Sequence, residues 1–177
     1  MNGVDVVELT ESIELLKQNT ALRSFDIKTK STWLYGAKSD TTIFRGEEGA
    51  NTNTKMLCDF SLDPENIAAK ECACPTEQVL AALSSCLIIG ISYNASFRNI
   101  SIETLEIDAE ANIDIGGFLG LEAQRNGFNT ITLTYRIKTN ASESDLRALV
   151  SYVQKTSPVF DIITNKLDNF VSSIEEI

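Results

Sequence analysis

Cys74-Pro75-Thr76-Glu77-Gln78-Val79-Leu80-Ala81-Ala82-Leu83-Ser84-Ser85-Cys86-Leu87-Ile88-Ile89-Gly90-Ile91 is the stretch on which the reading of this chain turns. Pro75 suits the first position of a helix, where its missing N–H costs nothing and its fixed φ already fits. Only Gly90 interrupts residues 76–97, giving a helix of about 22 residues and about 33 Å. Val79, Leu80, Ala82, Leu83, Cys86, Leu87, Ile88, Ile89 and Ile91 leave it almost no polar face. A helix that is apolar all round is buried on all sides. In a single small chain that implies either a helix wrapped by a sheet or one covered by a second subunit. The apolar run 79–91 contains Ser84, Ser85 and Gly90 and falls short of the ~20 residues of a bilayer span, so no membrane partner is expected.

Downstream, residues 100–115 alternate (Ile102, Leu105, Ile107, Ala109, Ala111, Ile113) and read as a long strand. Gly116, Gly117 and Gly120 mark a loop, and residues 128–137 its antiparallel partner. This glycine stretch lies between two strands and opens no helix, so it fails the context test for a phosphate-binding loop. It reads as a turn that could border a pocket. Ser142 caps a helix to Lys155 with Leu146, Leu149, Val150 and Val153 as its apolar stripe. Ser157-Pro158 opens a short helix ending near Asn165, and residues 167–174 are expected to close the chain as a strand.

Upstream, Val6, Leu9, Ile13 and Leu16 recur at helical spacing, which predicts an amphipathic helix over 5–18. Residues 23–33 and 39–45 read as strands around a Tyr35-Gly36 turn, and 56–62 as a third strand of a meander. The fold class is therefore α+β, a three-strand meander before the central helix and a β-β-α-α-β segment after it. The chain is read as a single domain over 1–177.

The 177 residues carry a net charge of −10, and hydrophobic residues make up 43% of them. With a pI near 4.5, a phosphate backbone or an anionic lipid surface would be repelled. No nucleic-acid partner is expected. Histidine is absent, which excludes a Ser-His-Asp triad, a Cys-His dyad and any His-ligated metal. The N-terminus lacks a basic segment followed by an apolar one, so a cytoplasmic protein with reduced cysteines is expected.

Cys86 is the residue expected to carry chemistry. Its plain alternative is a small apolar core side chain, as free Cys is among the most buried types. It lies three turns from the positive end of its helix, so a reactive thiolate there needs a cation brought from elsewhere. Cys72-x-Cys74 reads as incidental loop cysteines or, joined by Cys58 and Cys86, as a four-thiolate metal site. No cofactor is expected.

The segment 74–86 resembles the Asn-Pro-x-Glu-x-Leu-x-Ala-Ala-x-x-x-Cys helix of the OsmC/Ohr family, which includes osmotically inducible proteins and organic hydroperoxide reductases. The strand 100–115, Phe118-Leu119-Gly120, the next strand and Ser157-Pro158-Val159-Phe160-Asp161 follow in the family's order. The likeness runs from about Trp33 to Phe170 and leaves the N-terminal helix, residues 1–20, outside. It implies an intertwined homodimer with both long helices at its centre, and a thiolate at the subunit interface that reduces peroxides.

Three positions depart from that pattern. Ser157 stands where the family has its second cysteine. Thr76 follows Pro75 where an acidic residue is expected, with Glu77 one place later, and a one-residue shift turns a helical side chain by about 100°. Lys38, after Gly36, is the nearest counterpart of the family's arginine, with Arg45 as the other candidate; Lys is a point charge without the planar fork.

Two functions stay open. In one, Cys86 is a lone nucleophile, Ser157 donates a hydrogen bond to it, Lys38 or Arg45 supplies charge and Glu77 is a further site residue. Hydrophobic hydroperoxides or small electrophiles would be the substrates, with an external thiol, Cys72 or Cys74 completing turnover. In the other, the same dimer is a non-catalytic protein that binds a small apolar ligand, with Cys86 as packing.

Overall fold

The computed structural model describes residues 1–24, 27–44, 54–58, 72–120 and 125–176. The chain divides into two compact units, one of Met1–Val6 with Ala81–Ile177 and one of Val7–Leu80.

The second unit holds α1 (Val6–Gln18) from Val7 onward and a 3-10 turn over Thr20–Arg23. It also holds the antiparallel strands β1 (Lys28–Tyr35), β2 (Lys38–Phe44) and β3 (Thr54–Cys58), in the order β1-β2-β3. The expected meander forms, with shifted edges. Residues 20–23 coil instead of opening a strand at 23, and Phe25 of that alternation lies outside the described residues. The third strand begins two residues early, and residues 59–62 of its expected course are also outside. Tyr35 pairs with Lys38 across a two-residue loop. Gly36 takes φ +54 there, a left-handed conformation that an L side chain resists.

α2 (Pro75–Phe97) runs on into the first unit, which continues with β4 (Ile102–Ile113), β5 (Phe128–Thr139), α3 (Glu143–Thr156) and α4 (Pro158–Thr164). β4 and β5 pair antiparallel over their full length. Leu105↔Ile137, Ile107↔Tyr135, Ala109↔Leu133 and Ala111↔Ile131 share the inner face, while Glu106↔Arg136 and Glu110↔Thr132 face outward. Leu83, Leu87, Ile91 and Ala95 of α2 and Leu149 and Val153 of α3 are buried together, and the inner face of β4 and β5 packs on them. Four of these residues fall every fourth position on α2, so they form a single stripe of it.

Both ends of α2 are built from local chemistry. At its start, the backbone N–H of Cys74 donates to Glu77 Oε2 at 2.6 Å, the carboxylate half of a capping box. At its end, Asn99 takes φ +57, Ile100 N–H donates to Ala95 O and Asn99 N–H to Ser96 O, a Schellman closure. Asn2 then ties the N-terminus to this corner: its amide donates to Ser96 Oγ and Ile100 O and accepts from Ile102 N–H.

α3 and α4 obey their caps. Ser142 Oγ accepts from Asp145 N–H, and Ser157 Oγ from Phe160 N–H with Pro158 in the first helical position. Burial raises the Tyr135 phenol above its ordinary range, an effect partly offset by the hydrogen bond from Gln154.

Three expectations are corrected. Residues 167–174 form no strand: Leu167, Phe170, Val171 and Ile174 are 67–100% exposed, and their 3-1-3 spacing lacks the period of two that a half-buried strand needs. α2 is 23 residues long with a mean hydropathy of 1.6 over its most apolar window, so the apolar segment does reach bilayer length. Core helices of folded domains pass that test too, and α2 packs one face into a core. Finally, of the two alternatives for the apolar helix, wrapping by a sheet on all sides within one chain is the one that does not form. Val79, Ile89, Tyr93 and Phe97 keep 43–55% of their surface exposed.

Candidate functional site around Cys86

Cys86 lies on the flank of α2 between its buried stripe and its exposed face. Val79, Ala82, Ile89 and Tyr93 stand at positions −7, −4, +3 and +7 from it, the spacing that places side chains on one helix face. All four are exposed, while Cys86 itself is half-buried. The thiol therefore sits at the centre of an exposed, mainly apolar stripe, a pattern already present in the sequence as a spacing around Cys86.

The structure brings Cys86 and Ser157 together. Cys86 Sγ and Ser157 Oγ are 3.2 Å apart although 71 residues separate them, and Ser157 is 5% exposed. Ser157 Oγ also accepts from Phe160 N–H at 3.2 Å. One hydroxyl lone pair is thus committed to the helix cap, and the single hydroxyl proton is available to the sulfur. The geometry that ends α3 and starts α4 fixes this serine, so its hydroxyl is held in place without a long side chain to order.

A second contact sets the approach of the two helices. A Cβ on Gly90 would lie 2.6 Å from Val153 Cγ1, a separation that forces something to move. Gly90 follows Cys86 by four residues on α2, and Val153 precedes Ser157 by four on the opposing segment. One turn of antiparallel packing thus links the two contacts. The only breaker in the long helix marks the point where α3 comes close enough to deliver Ser157. In the sequence Gly90 shows only as an interruption of the apolar run.

Glu77 is engaged at the start of α2, where it accepts from Cys74 N–H. Nine residues separate it from Cys86, which on a continuous helix is about 13 Å of rise and about half a turn. Cys74 is buried, with its sulfur 3.1 Å from Thr76 Oγ1. Cys72, Cys74 and Cys86 are not in disulfides. Among the described residues no group of three or more Cys, Asp or Glu side chains is placed to hold a metal. Lys38 opens β2 in the other unit, half-buried beside the Gly36 turn. Arg45 lies outside the described residues.

An α+β chain with a long helix carrying a half-buried thiol, and a capping serine laid against that thiol, defines a class: a protein with one helix-borne cysteine at the edge of an apolar face. The family model described as OsmC-like protein matches residues 68–168, more than half of the chain, and the chain belongs to that family. Its fold is similar to that of an OsmC-like protein from Mycoplasma pneumoniae, with 18% identity, a TM-score of 0.56, and 79% of this chain and 86% of that one covered. An OsmC-like protein of unknown function from Vibrio cholerae matches with 13% identity and a TM-score of 0.59, over 81% of this chain and 96% of that one. An organic hydroperoxide resistance protein from Legionella pneumophila matches with 17% identity and a TM-score of 0.56, over 79% and 90%. No curated protein matches this sequence. At these identities the likeness establishes the fold.

Proposed function

We propose that this protein reduces hydrophobic organic hydroperoxides through Cys86 as a single nucleophile, in a cytoplasmic homodimer without a cofactor. The observation that carries this reading is the Cys86–Ser157 contact, in which a helix-capping serine lies 3.2 Å from the sulfur with a hydroxyl proton that the cap does not use. Membership of a family whose structural relatives include organic hydroperoxide resistance proteins supports the same chemistry.

In the proposed step the Cys86 sulfur attacks the terminal, hydroxyl-bearing oxygen of the hydroperoxide. The S–O bond forms as the O–O bond breaks, the alkoxide leaves and is protonated to the alcohol, and Cys86 becomes a sulfenic acid. Ser157 donates to the sulfur before the attack. Lys38 is proposed to supply positive charge, as a point charge on a flexible stem. Glu77, fastened to the helix start, is proposed to serve the site by holding α2 in place. The exposed stripe of Val79, Ala82, Ile89 and Tyr93 is proposed to be covered by the same helix of a second copy, which would complete the burial an all-round apolar helix requires. A site closed by such a stripe favours apolar substrates.

The test is to treat the protein with one equivalent of cumene hydroperoxide in the presence of a sulfenate-trapping dione, and map the adduct by mass spectrometry. An adduct on Cys86, absent from Cys86→Ser, is expected. An unmodified Cys86 at excess hydroperoxide would refute the proposal.

A further inference from the structure

Resting on that reading, we infer that the sulfenic acid formed on Cys86 is resolved by an external, uncharged thiol through a mixed disulfide, and not by Cys72 or Cys74. The place a resolving sulfur would need is taken: the side chain that touches Cys86 Sγ from the start of α4 is a serine, 5% exposed and unable to form a disulfide. Cys72 and Cys74 stand at the far end of the same helix, while Cys58 ends β3 in the other unit. Cys74 caps α2 twelve residues before Cys86, about 18 Å of helical rise. A disulfide requires Cα atoms within about 7 Å. Cys74 is also buried against Thr76, and its N–H and carbonyl both belong to the first turn of α2, so bringing it to Cys86 would unwind the helix start. Cys72 lies two residues further away.

The surroundings of Cys86 define the thiol that suits it. Cys86 shares a helix face with the exposed Val79, Ala82, Ile89 and Tyr93, and the chain carries a net charge of −10. A thiol that also carries a carboxylate brings a second negative charge to an acidic chain and an apolar face, whereas one with no charge besides its reacting thiolate meets less repulsion. The sequence of steps balances with that thiol as reductant. The thiol gives up its proton, its thiolate attacks the sulfur of the sulfenic acid, the S–S bond forms as the S–O bond breaks, and the departing hydroxide takes up that proton to leave as water. A second thiol attacks the mixed disulfide, releases the small-molecule disulfide and returns Cys86 to its thiol.

The experiment uses the full chain and a triple variant, Cys58→Ser, Cys72→Ser and Cys74→Ser, in which serine at 74 preserves the helix cap. Each is oxidised with one equivalent of cumene hydroperoxide and then exposed to limiting 2-mercaptoethanol or 3-mercaptopropionate at low salt. Expected is a 2-mercaptoethanol adduct on Cys86 in both proteins, with turnover equal within about twofold. At matched thiolate concentration it should form on the order of tenfold faster than the carboxylate thiol's adduct. A disulfide joining Cys86 to another cysteine, within or between copies, or loss of turnover in the triple variant, overturns the inference while leaving the hydroperoxide reading intact. Equal rates for the two thiols overturn the charge preference. Failure to oxidise Cys86 at all overturns both readings.

Discussion

Ser157→Cys is expected to change the product of peroxide treatment, from a single oxidised sulfur to a disulfide between position 86 and the new thiol. The serine oxygen stands 3.2 Å from Cys86 Sγ on a rigid cap, so a sulfur in its place lies close to bonding distance with little backbone movement. The sulfenic acid would meet this internal thiol at a high effective concentration, and condensation would outrun any external thiol. Mass spectrometry of the peroxide-treated variant without reduction should show loss of two hydrogens and a linked peptide pair. The native sequence under the same conditions should show neither. An unlinked variant that still accumulates the sulfenate would mean that the 3.2 Å contact does not persist in solution.

Gly90→Ala is expected to destabilise the fold and to disturb the thiol together. In an exposed helix interior the substitution gains about 1 kcal/mol from propensity. Here the new methyl would lie 2.6 Å from Val153 Cγ1, and Val153 is buried and stiff about χ1. Overpacking of this kind costs about 1–3 kcal/mol, so the two effects oppose each other and packing wins. The relief available to the chain is to move α3 off α2, and that motion carries Ser157 away from Cys86. Urea unfolding should show a lower midpoint for Gly90→Ala, and peroxide oxidation of Cys86 should slow. Adding Val153→Ala should recover part of both losses, a coupling that a double-mutant cycle measures. A Gly90→Ala protein more stable than the parent would contradict the close approach of the helices.

Much of this architecture is written locally in the sequence. Pro75 and the apolar run fixed the course of α2 to its observed ends, and Ser142 and Ser157-Pro158 announced two helix starts that formed as expected. The period-two alternation of residues 102–113 also survived folding, because a long hairpin needs only its own two strands to satisfy it. What failed lacked such a local rule. Residues 167–174 have strand-forming residues without strand periodicity, and among the described residues they find no sheet edge. Residues 20–23 coil into a 3-10 turn that no cap signalled.

The site was legible only in part, for a related reason. Cys86 could be singled out as the lone thiol of an apolar helix, and its stripe of neighbours follows from helical spacing alone. The meeting of Cys86 with Ser157 joins positions 71 residues apart, and no periodicity reports such a contact. It was reached through the family resemblance, in which Ser157 occupies the second cysteine's place. Glu77 shows the converse. Its position three residues after Cys74 is a capping-box spacing, and that local role is the one its hydrogen bond displays. The closure of the N-terminus by Asn2 onto Ser96, Ile100 and Ile102 had no signal at all in the sequence.

The central claim is that Cys86 is a working thiol and not a packed one. Alkylation of Cys86 by iodoacetamide, followed in the native protein and again in denaturant, separates the two. The account predicts that Cys86 reacts in the native state, at a rate no slower than in the unfolded chain, and that cumene hydroperoxide added beforehand blocks it. A Cys86 that stays silent until the protein unfolds would contradict the account and leave it as a core residue of a non-catalytic OsmC-like protein.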